Sequence, residues 1–207
     1  MRANCNIHGW SGWQTLGEQP SGCLVATATY GSEITPQVQF LRGFRDHTVL
    51  STFAGSSFMT AFNLVYYTFS PSVASFIAEI EPVRNIMKVA LYPLMGILHI
   101  SAGAFSLFSF NPELGVVAAG LVASAFIGLV YITPLALILC LLKKYIPSLK
   151  LQRWTSVVWM GSIVLMITGV VTEWSTLTMA TTSVFVLTTM SLPALFIIIQ
   201  VTTRHIR

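Results

Sequence analysis

A few side chains in this sequence have the chemistry to do something: Cys23, Arg42, Arg45, Asp46, His99 and, near the start, Cys5 and His8. A thiol reacts as its thiolate, so it needs a nearby cation or a helix N-terminus to lower its pKa. Within "CLVATATYGSEITPQVQFLRGFRD", Arg42 and Arg45 follow Cys23 closely enough to supply that cation after folding. The plainer alternative is a small side chain packed in an Ala/Thr-rich strip. No Cys-x-x-Cys pair offers a resolving thiol for disulfide exchange. Arg42 and Asp46 stand four apart, which places them on one helix face and predicts an ion pair between them. Arg45 is then left to reach lipid phosphate or the carbonyls at a helix end, and the trio reads as a structural clamp.

His99 is the one ionisable side chain deep in an apolar run. Such residues are costly in lipid, so function is the default hypothesis. The structural alternative is a neutral imidazole bonded to Ser101 or to a threonine of a neighbouring helix. Cys5-x-x-His8 offers two ligands where a structural zinc takes four, so no metal or other cofactor is expected. Phosphate-binding glycine loops, nucleophile elbows and paired catalytic carboxylates are missing from the sequence. The expectation is a protein that is not an enzyme.

The elements that must position these residues are written in the composition. Of 207 residues, 54% are hydrophobic and 9% charged, with a mean hydropathy of +0.74. Soluble domains carry about 25% charge, so water is not the expected main solvent. The net charge of +4 sits in "KKYIPSLKLQR" (143–153) and in the terminal "RHIR". Arg2, Arg42, Arg45, Arg84 and Lys88 are balanced by the five acids before residue 89. Basic clusters that flank apolar runs follow membrane topology rather than a nucleic-acid footprint. Three scattered cysteines build no disulfide framework, and no cleavable signal sequence is apparent at the N-terminus.

Residues 1–22 read as a flexible leader, with Trp10 and Trp13 suited to a membrane interface. Thr35-Pro36, Ser70-Pro71 and Asn111-Pro112 each pair a capping residue with a proline at the first helical position. They predict a short helix over about 36–48, a second from 71 that stops near Pro82, and a third from 112. Val73, Phe76, Ile77 and Ile80 form an apolar stripe on the second. Four runs are long enough to cross a bilayer, at about 89–110, 114–142, 154–172 and 176–201. Pro134 predicts a tilt or kink in the second of them, and Pro193 lies within the fourth. Gly120, Ser124 and Gly128 recur every four residues on the second run, a spacing that lets helix backbones approach closely. Met87, Met95, Met160 and Met166 are dispersed and read as core filler.

Lys143, Lys144, Lys150 and Arg153 lie between the second and third runs, and Arg204 and Arg207 lie after the fourth. The positive-inside rule puts these segments in the cytoplasm. Four crossings then place the N-terminal region there too. One segment challenges that count, because Thr48–Ala78 has no charge. Ser51, Thr52, Ser56, Ser57, Thr60 and Asn63 load it with polarity, while Phe58, Phe62, Val65 and Tyr66 make one apolar stripe. This favours a helix lying in the interface. A crossing there would give five spans and put Cys23 outside.

The block Cys23-Leu24-Val25-Ala26-Thr27-Ala28-Thr29-Tyr30-Gly31-Ser32 resembles the CFI-box, a prokaryotic domain whose signature reads roughly Cys-Phe-Ile-Ala-Thr-Ala-Ala-Tyr-Gly-Ser. The resemblance continues through Pro36, Leu41, Arg42, Phe44, Arg45, Asp46, Gly55, Phe58, Tyr66, Tyr67, Ser70, Pro71, Arg84 and Pro93, covering about residues 23–93. Leu24-Val25 replaces the Phe-Ile of the box, and Ser56 stands where an arginine usually follows the central glycine. The rest of the chain looks like the membrane extension of archaeal proteins with this box. The resemblance implies no assigned reaction. It suggests sorting or anchoring outside the cytoplasm, with the cysteine a candidate for processing or modification, which conflicts with a four-span topology.

Together these readings predict an all-α integral membrane protein. An interfacial helical CFI-box module (23–88) precedes a four-helix transmembrane bundle (89–207) in the cell membrane, with the C-terminus cytoplasmic. The expected role is a non-catalytic scaffold, anchor or complex subunit. Its partners are the lipid bilayer and other membrane helices, in a homo-oligomer or a larger complex, and not nucleic acid. Two alternatives stand beside it: a thiol-dependent sorting or modification module using Cys23, and a small transporter or channel component using His99 near Pro93.

Overall fold

The computed structural model describes residues 23–143 and 149–205, so the leader with Cys5, His8, Trp10 and Trp13 lies outside the described residues. Every element among them is helical. Two short helices, α1 (Leu24–Tyr30) and α2 (Pro36–Gly43), lead through a π-helical turn (Phe44–Val49) into the long α3 (Phe53–Glu79). Then come α4 (Glu81–Ser106), α5 (Pro112–Ile127), a second π-helical turn (Gly128–Ile132), α6 (Thr133–Lys143), α7 (Leu149–Val171) and α8 (Ser175–His205).

Four stretches are long and apolar enough to cross a membrane: Glu81–Ser106, Pro112–Cys140, Leu149–Val171 and Ser175–Val201. In each apolar window only 11–22% of the residues are buried inside the protein, and Val157, Val164, Leu165, Leu187 and Leu135 face outward. The fully buried side chains include Ser70, Ser101, Ser124, Thr29 and Thr178. Large apolar groups outside and small hydroxyls inside invert the soluble pattern. Small residues let helix axes approach where lipid removes the hydrophobic drive.

The helix starts follow local chemistry. Asn111 accepts from the N–H groups of Glu113 and Leu114 at 3.1 and 3.3 Å, and Pro112 opens α5. Thr35 precedes Pro36 in extended backbone. Thr52 caps α3 by accepting from the Gly55 N–H at 3.1 Å. The start expected at Ser70-Pro71 does not occur, because Pro71 lies inside α3. Removing one interior N–H costs about 3 kcal/mol. The packing of α3 against α8, α1 and α5 outweighs it, and Ser70 is fully enclosed. The stop near Pro82 is real: Ile80 turns extended and α4 begins at Glu81. Arg84 reaches back over this joint to donate to the Ala78 carbonyl at 2.6 Å. Since α4 runs unbroken past Lys88, the module boundary expected at 88/89 falls within a helix.

The position of α3 departs from the interfacial expectation. Its C-terminus joins α4 through Ile80 alone. Its N-terminus is held at the far end of α4, where the Glu113 carboxylate accepts from Phe53 N–H at 2.5 Å and Ala54 N–H at 3.1 Å. With 27 residues against 26, α3 retraces α4 over about 40 Å at 1.5 Å per residue. It runs beside the other long helices and not across their ends. Part of its polar load is absorbed locally, with Ser56, Thr60 and Thr68 donating to the carbonyls of Phe53, Ser56 and Val65, while Ser70 Oγ is buried without a partner. The expected apolar stripe appears as a ring column, Phe58–Phe62–Tyr66, with centroids 6.1 and 5.4 Å apart. On the stripe further along, only Ile77 is enclosed, while Phe76 and Ile80 face outward.

The irregularity in the second span precedes Pro134, at the π-helical turn Gly128–Ile132. There the Gly128 carbonyl accepts both the Thr133 N–H and, at 3.0 Å, its hydroxyl. A wider turn just ahead of a proline accommodates the missing donor. At the same point Gly128 crosses α8 so closely that a Cβ would lie 2.1 Å from the Met190 carbonyl oxygen. The three small residues spaced by four therefore divide. Ser124 and Gly128 are buried against the bundle, whereas a Cβ on Gly120 would meet nothing within 4 Å. Gly128→Ala should accordingly cost about 1–3 kcal/mol through overpacking, and Gly120→Ala should stay within about 0.5 kcal/mol. Thermal melting of both variants in one detergent measures the difference, and equal melting points contradict this packing.

Candidate functional site

Of the residues singled out for chemistry, Cys23, Arg42, Arg45, Asp46 and His99 lie where the unit 23–52 meets α3 and α4. Cys23 stands at the N-terminal boundary of α1, with its carbonyl accepting from Thr27 N–H at 2.8 Å. Helix α1 stops because Gly31 takes the left-handed conformation, φ +78°, and donates to the Thr27 carbonyl at 2.8 Å. Few side chains tolerate that backbone, so glycine is the natural terminator. This explains the Tyr-Gly-Ser of the block as a helix stop. The turn that follows closes on itself: Thr35 Oγ1 donates to the Ser32 carbonyl at 3.0 Å and Gln39 Nε2 to the Glu33 carbonyl at 2.9 Å. Ile34 is left 82% exposed at the tip.

Two contacts hold this unit to the long helices, and a third fixes the helix that follows it. The Val25 N–H, one of the unpaired donors in the first turn of α1, donates to Tyr66 Oη at 3.1 Å. Phe40 of α2 stacks on the imidazole of His99 from α4, with centroids 3.8 Å apart and planes within 8°. Glu113 then pins the first turn of α3, directly after the unit. The imidazole of His99 is neither bonded to Ser101 nor turned towards a threonine. Its Nδ1 donates to the Met95 carbonyl one turn back at 2.8 Å, and Ser101 bonds the Ile97 carbonyl at 2.9 Å. A stacked ring bonded to its own helix is a packing element.

The ion pairs differ from the expected Arg42–Asp46 contact. Arg42 Nη2 pairs with Glu33 at 3.0 Å, and Arg45 Nε pairs with Asp46 at 2.7 Å. Helix α2 ends at Gly43 and widens into the π-helical turn, so the four-residue spacing no longer keeps two side chains on one face. The new pairs act within the unit. Arg42 ties α2 to the turn behind α1, while its Nε is buried without a partner. Arg45 is held by its neighbour, whose carboxylate raises the guanidinium pKa further.

Both arginines act on Cys23, yet desolvation dominates. Burial pushes the thiol pKa up, and the opposing pull of Arg45 and then Arg42 does not restore it. The thiol is therefore held in its protonated form at neutral pH, a poor nucleophile. Among the described residues no group of three His, Cys, Asp or Glu could hold a metal ion. Cys140 lies on α6, on a different element from this region.

Sequence reasoning missed Tyr66 and Glu113 as anchors. Tyr66 was legible as one ring of an apolar stripe and as a position of the CFI-box resemblance, and Glu113 as a lone loop acid. Their partners lie 41 and 60 residues away, beyond any local pattern. In a Cys5→Ser/Cys140→Ser background, Cys23 should react with iodoacetamide more slowly at pH 7 than a free cysteine peptide. The rate should keep rising above pH 9, because the thiolate forms only above the raised pKa. A rate already on its plateau at pH 7 would contradict this environment. Comparison of the chain with protein-family models, with curated proteins and with solved structures finds no match.

Proposed function

We propose that this chain is a non-catalytic multi-pass membrane protein that anchors or scaffolds a membrane assembly. The unit of residues 23–52, the first part of the CFI-box-like segment, is what it offers to a partner. One observation carries the reading: the unit is clamped to α3 and α4 by Tyr66–Val25 and Phe40–His99, and it turns the self-bonded loop with Ile34 away from the bundle. A rigid clamp with an exposed apolar tip suits docking. The thiol-dependent alternative is weakened by the protonated state that burial imposes on Cys23. A transporter role for His99 gains nothing from a ring that stacks on Phe40 and bonds its own helix.

The reading includes five crossings, with α3 as the first. Its length, its packing on α8 and the paired hydroxyls of Ser56, Thr60 and Thr68 support this, since polar groups at membrane depth must find partners within the protein. The basic segment 143–153 stays cytoplasmic under the positive-inside rule, and the unit 23–52 then faces the opposite side. This removes the conflict between the extracytoplasmic habit of the CFI-box and the location of the lysines.

Two experiments test these points. Ile34→Asp changes an exposed tip and should leave the melting temperature unaltered while abolishing a larger complex seen on native gels of mild-detergent extracts. A wild-type chain that migrates alone, or a complex that survives the substitution, overturns the scaffold role. For topology, Ile34→Cys in a Cys5→Ser/Cys23→Ser/Cys140→Ser background should be labelled on intact cells by a membrane-impermeant maleimide. Labelling that appears only after lysis returns the protein to four crossings.

A further inference from the structure

Helix α4 carries no Asp, Glu, Lys or Arg from Val89 to Ser106. That stretch rises about 26 Å, close to the roughly 30 Å of a bilayer's hydrocarbon core. Lys88 marks one surface, and the turn 107–111, with Leu107 and Phe110 exposed, marks the other. Trp154 and Trp174, both exposed at the two ends of α7, bracket a similar depth, as interfacial indoles do. The unit 23–52 is fastened inside these limits. Phe40 stacks on His99, about 10 Å along α4 from Ser106. Val25 donates to Tyr66, about 20 Å along α3 from Phe53, and Glu113 holds Phe53 beside the turn 107–111. Arg45, paired with Asp46, acts electrostatically on Cys23 and Tyr67, at the deeper anchor. Yet the outer face of the unit is polar. Glu33, Gln37, Gln39, Asp46 and His47 are exposed, with 61% of the Glu33 side chain and 43% of that of Asp46 accessible. Leu64 and Val65, close to Tyr66 on α3, are exposed and apolar.

We infer that this polar face lines a water-filled recess, open on the side opposite the basic segment 143–153. The recess reaches about 20 Å into the bilayer, towards the level of Tyr66. Hydrocarbon does not cover such a face, because charged side chains at membrane depth turn to protein or to water. The irregular backbone between α1 and α2 obeys the same limit. Water is the occupant rather than a charged partner, because the ionic groups already pair within the unit, Arg42 with Glu33 and Arg45 with Asp46. Their exposed oxygens need hydration and no opposite charge. The recess gives small hydrophilic molecules a path along α2 into the half of the bilayer remote from the lysines. The inference rests on the reading of α3 as a crossing and is separate from the scaffold role of the Ile34 tip.

Gln37→Cys, His47→Cys and Leu64→Cys, each in the Cys5→Ser/Cys23→Ser/Cys140→Ser background, test the recess. Intact cells are treated with a small membrane-impermeant methanethiosulfonate, and the same variants are treated after solubilisation in detergent. All three positions are exposed, so the substitutions spare the packing. On cells, Gln37→Cys and His47→Cys should react about tenfold or more faster than Leu64→Cys, whose thiol hydrocarbon holds protonated. Equal, rapid reaction of all three puts this part of α3 in water and overturns the crossing together with the recess. Protection of Gln37→Cys and His47→Cys that detergent relieves means that protein or lipid covers the face. With Leu64→Cys also protected, that result overturns the recess and leaves the crossing standing. Reaction of Gln37→Cys and His47→Cys confined to inverted vesicles puts the mouth beside the lysines and likewise overturns the proposal.

Discussion

A helix in hydrocarbon has no water to satisfy a stray hydroxyl, and this chain packs its helices through hydroxyls. The conflict is resolved within each helix. Thr178, Thr181, Thr182, Thr189, Ser124 and Ser162 donate to carbonyls three or four residues back. Once bonded, each presents a small surface to its neighbour, and helices can approach as closely as α5 and α8 do at Gly128 and Met190. Trp159–Thr189 adds an indole bond between α7 and α8, with the Trp159 ring stacked against Phe185 at 6.1 Å. The outward surface is then free to be large and apolar.

The same rule accounts for α3. Hydropathy sets four helices apart from it, since Asn63, Tyr66, Tyr67 and Pro71 join its serines and threonines. Yet Ser56, Thr60, Thr68 and Ser75 are paired along its own backbone, Ser70 Oγ being buried without a partner, and its ends are held by the Ile80 joint to α4 and by Glu113 of α5. The cost of leaving the first N–H groups of a helix unpaired is what gives Glu113 its role. A single carboxylate at the start of α5 thereby sets the course of a helix that begins 60 residues earlier.

The unit 23–52 depends on that course. Tyr66 lies midway along α3 and His99 towards the far end of α4, and α1 packs against both helices. The charges of the unit are spent internally, Arg42 on Glu33 and Arg45 on Asp46. The burial that holds the unit in place also holds Cys23 protonated. The most exposed of its large apolar side chains is Ile34, at the tip of a tight loop.

Much of this was legible beforehand. Four long apolar runs separated by Asn111-Pro112, the basic stretch near 147 and Glu173-Trp174 specify crossing helices, because length and hydropathy act locally along a chain. The start at Pro36 was equally local. Ser70-Pro71 misled because a local start signal competes with tertiary packing, and packing prevailed. The Arg42–Asp46 pair failed because the four-residue rule assumes α geometry, and the helix widens after Gly43. Only the tertiary structure decided that α3 lies along α4, that Tyr66 and His99 hold the N-terminal unit, and that Gly128 and not Gly120 meets α8. Each of these is a contact between residues far apart in the chain, set by which helix neighbours which, and no periodicity in the sequence encodes that choice.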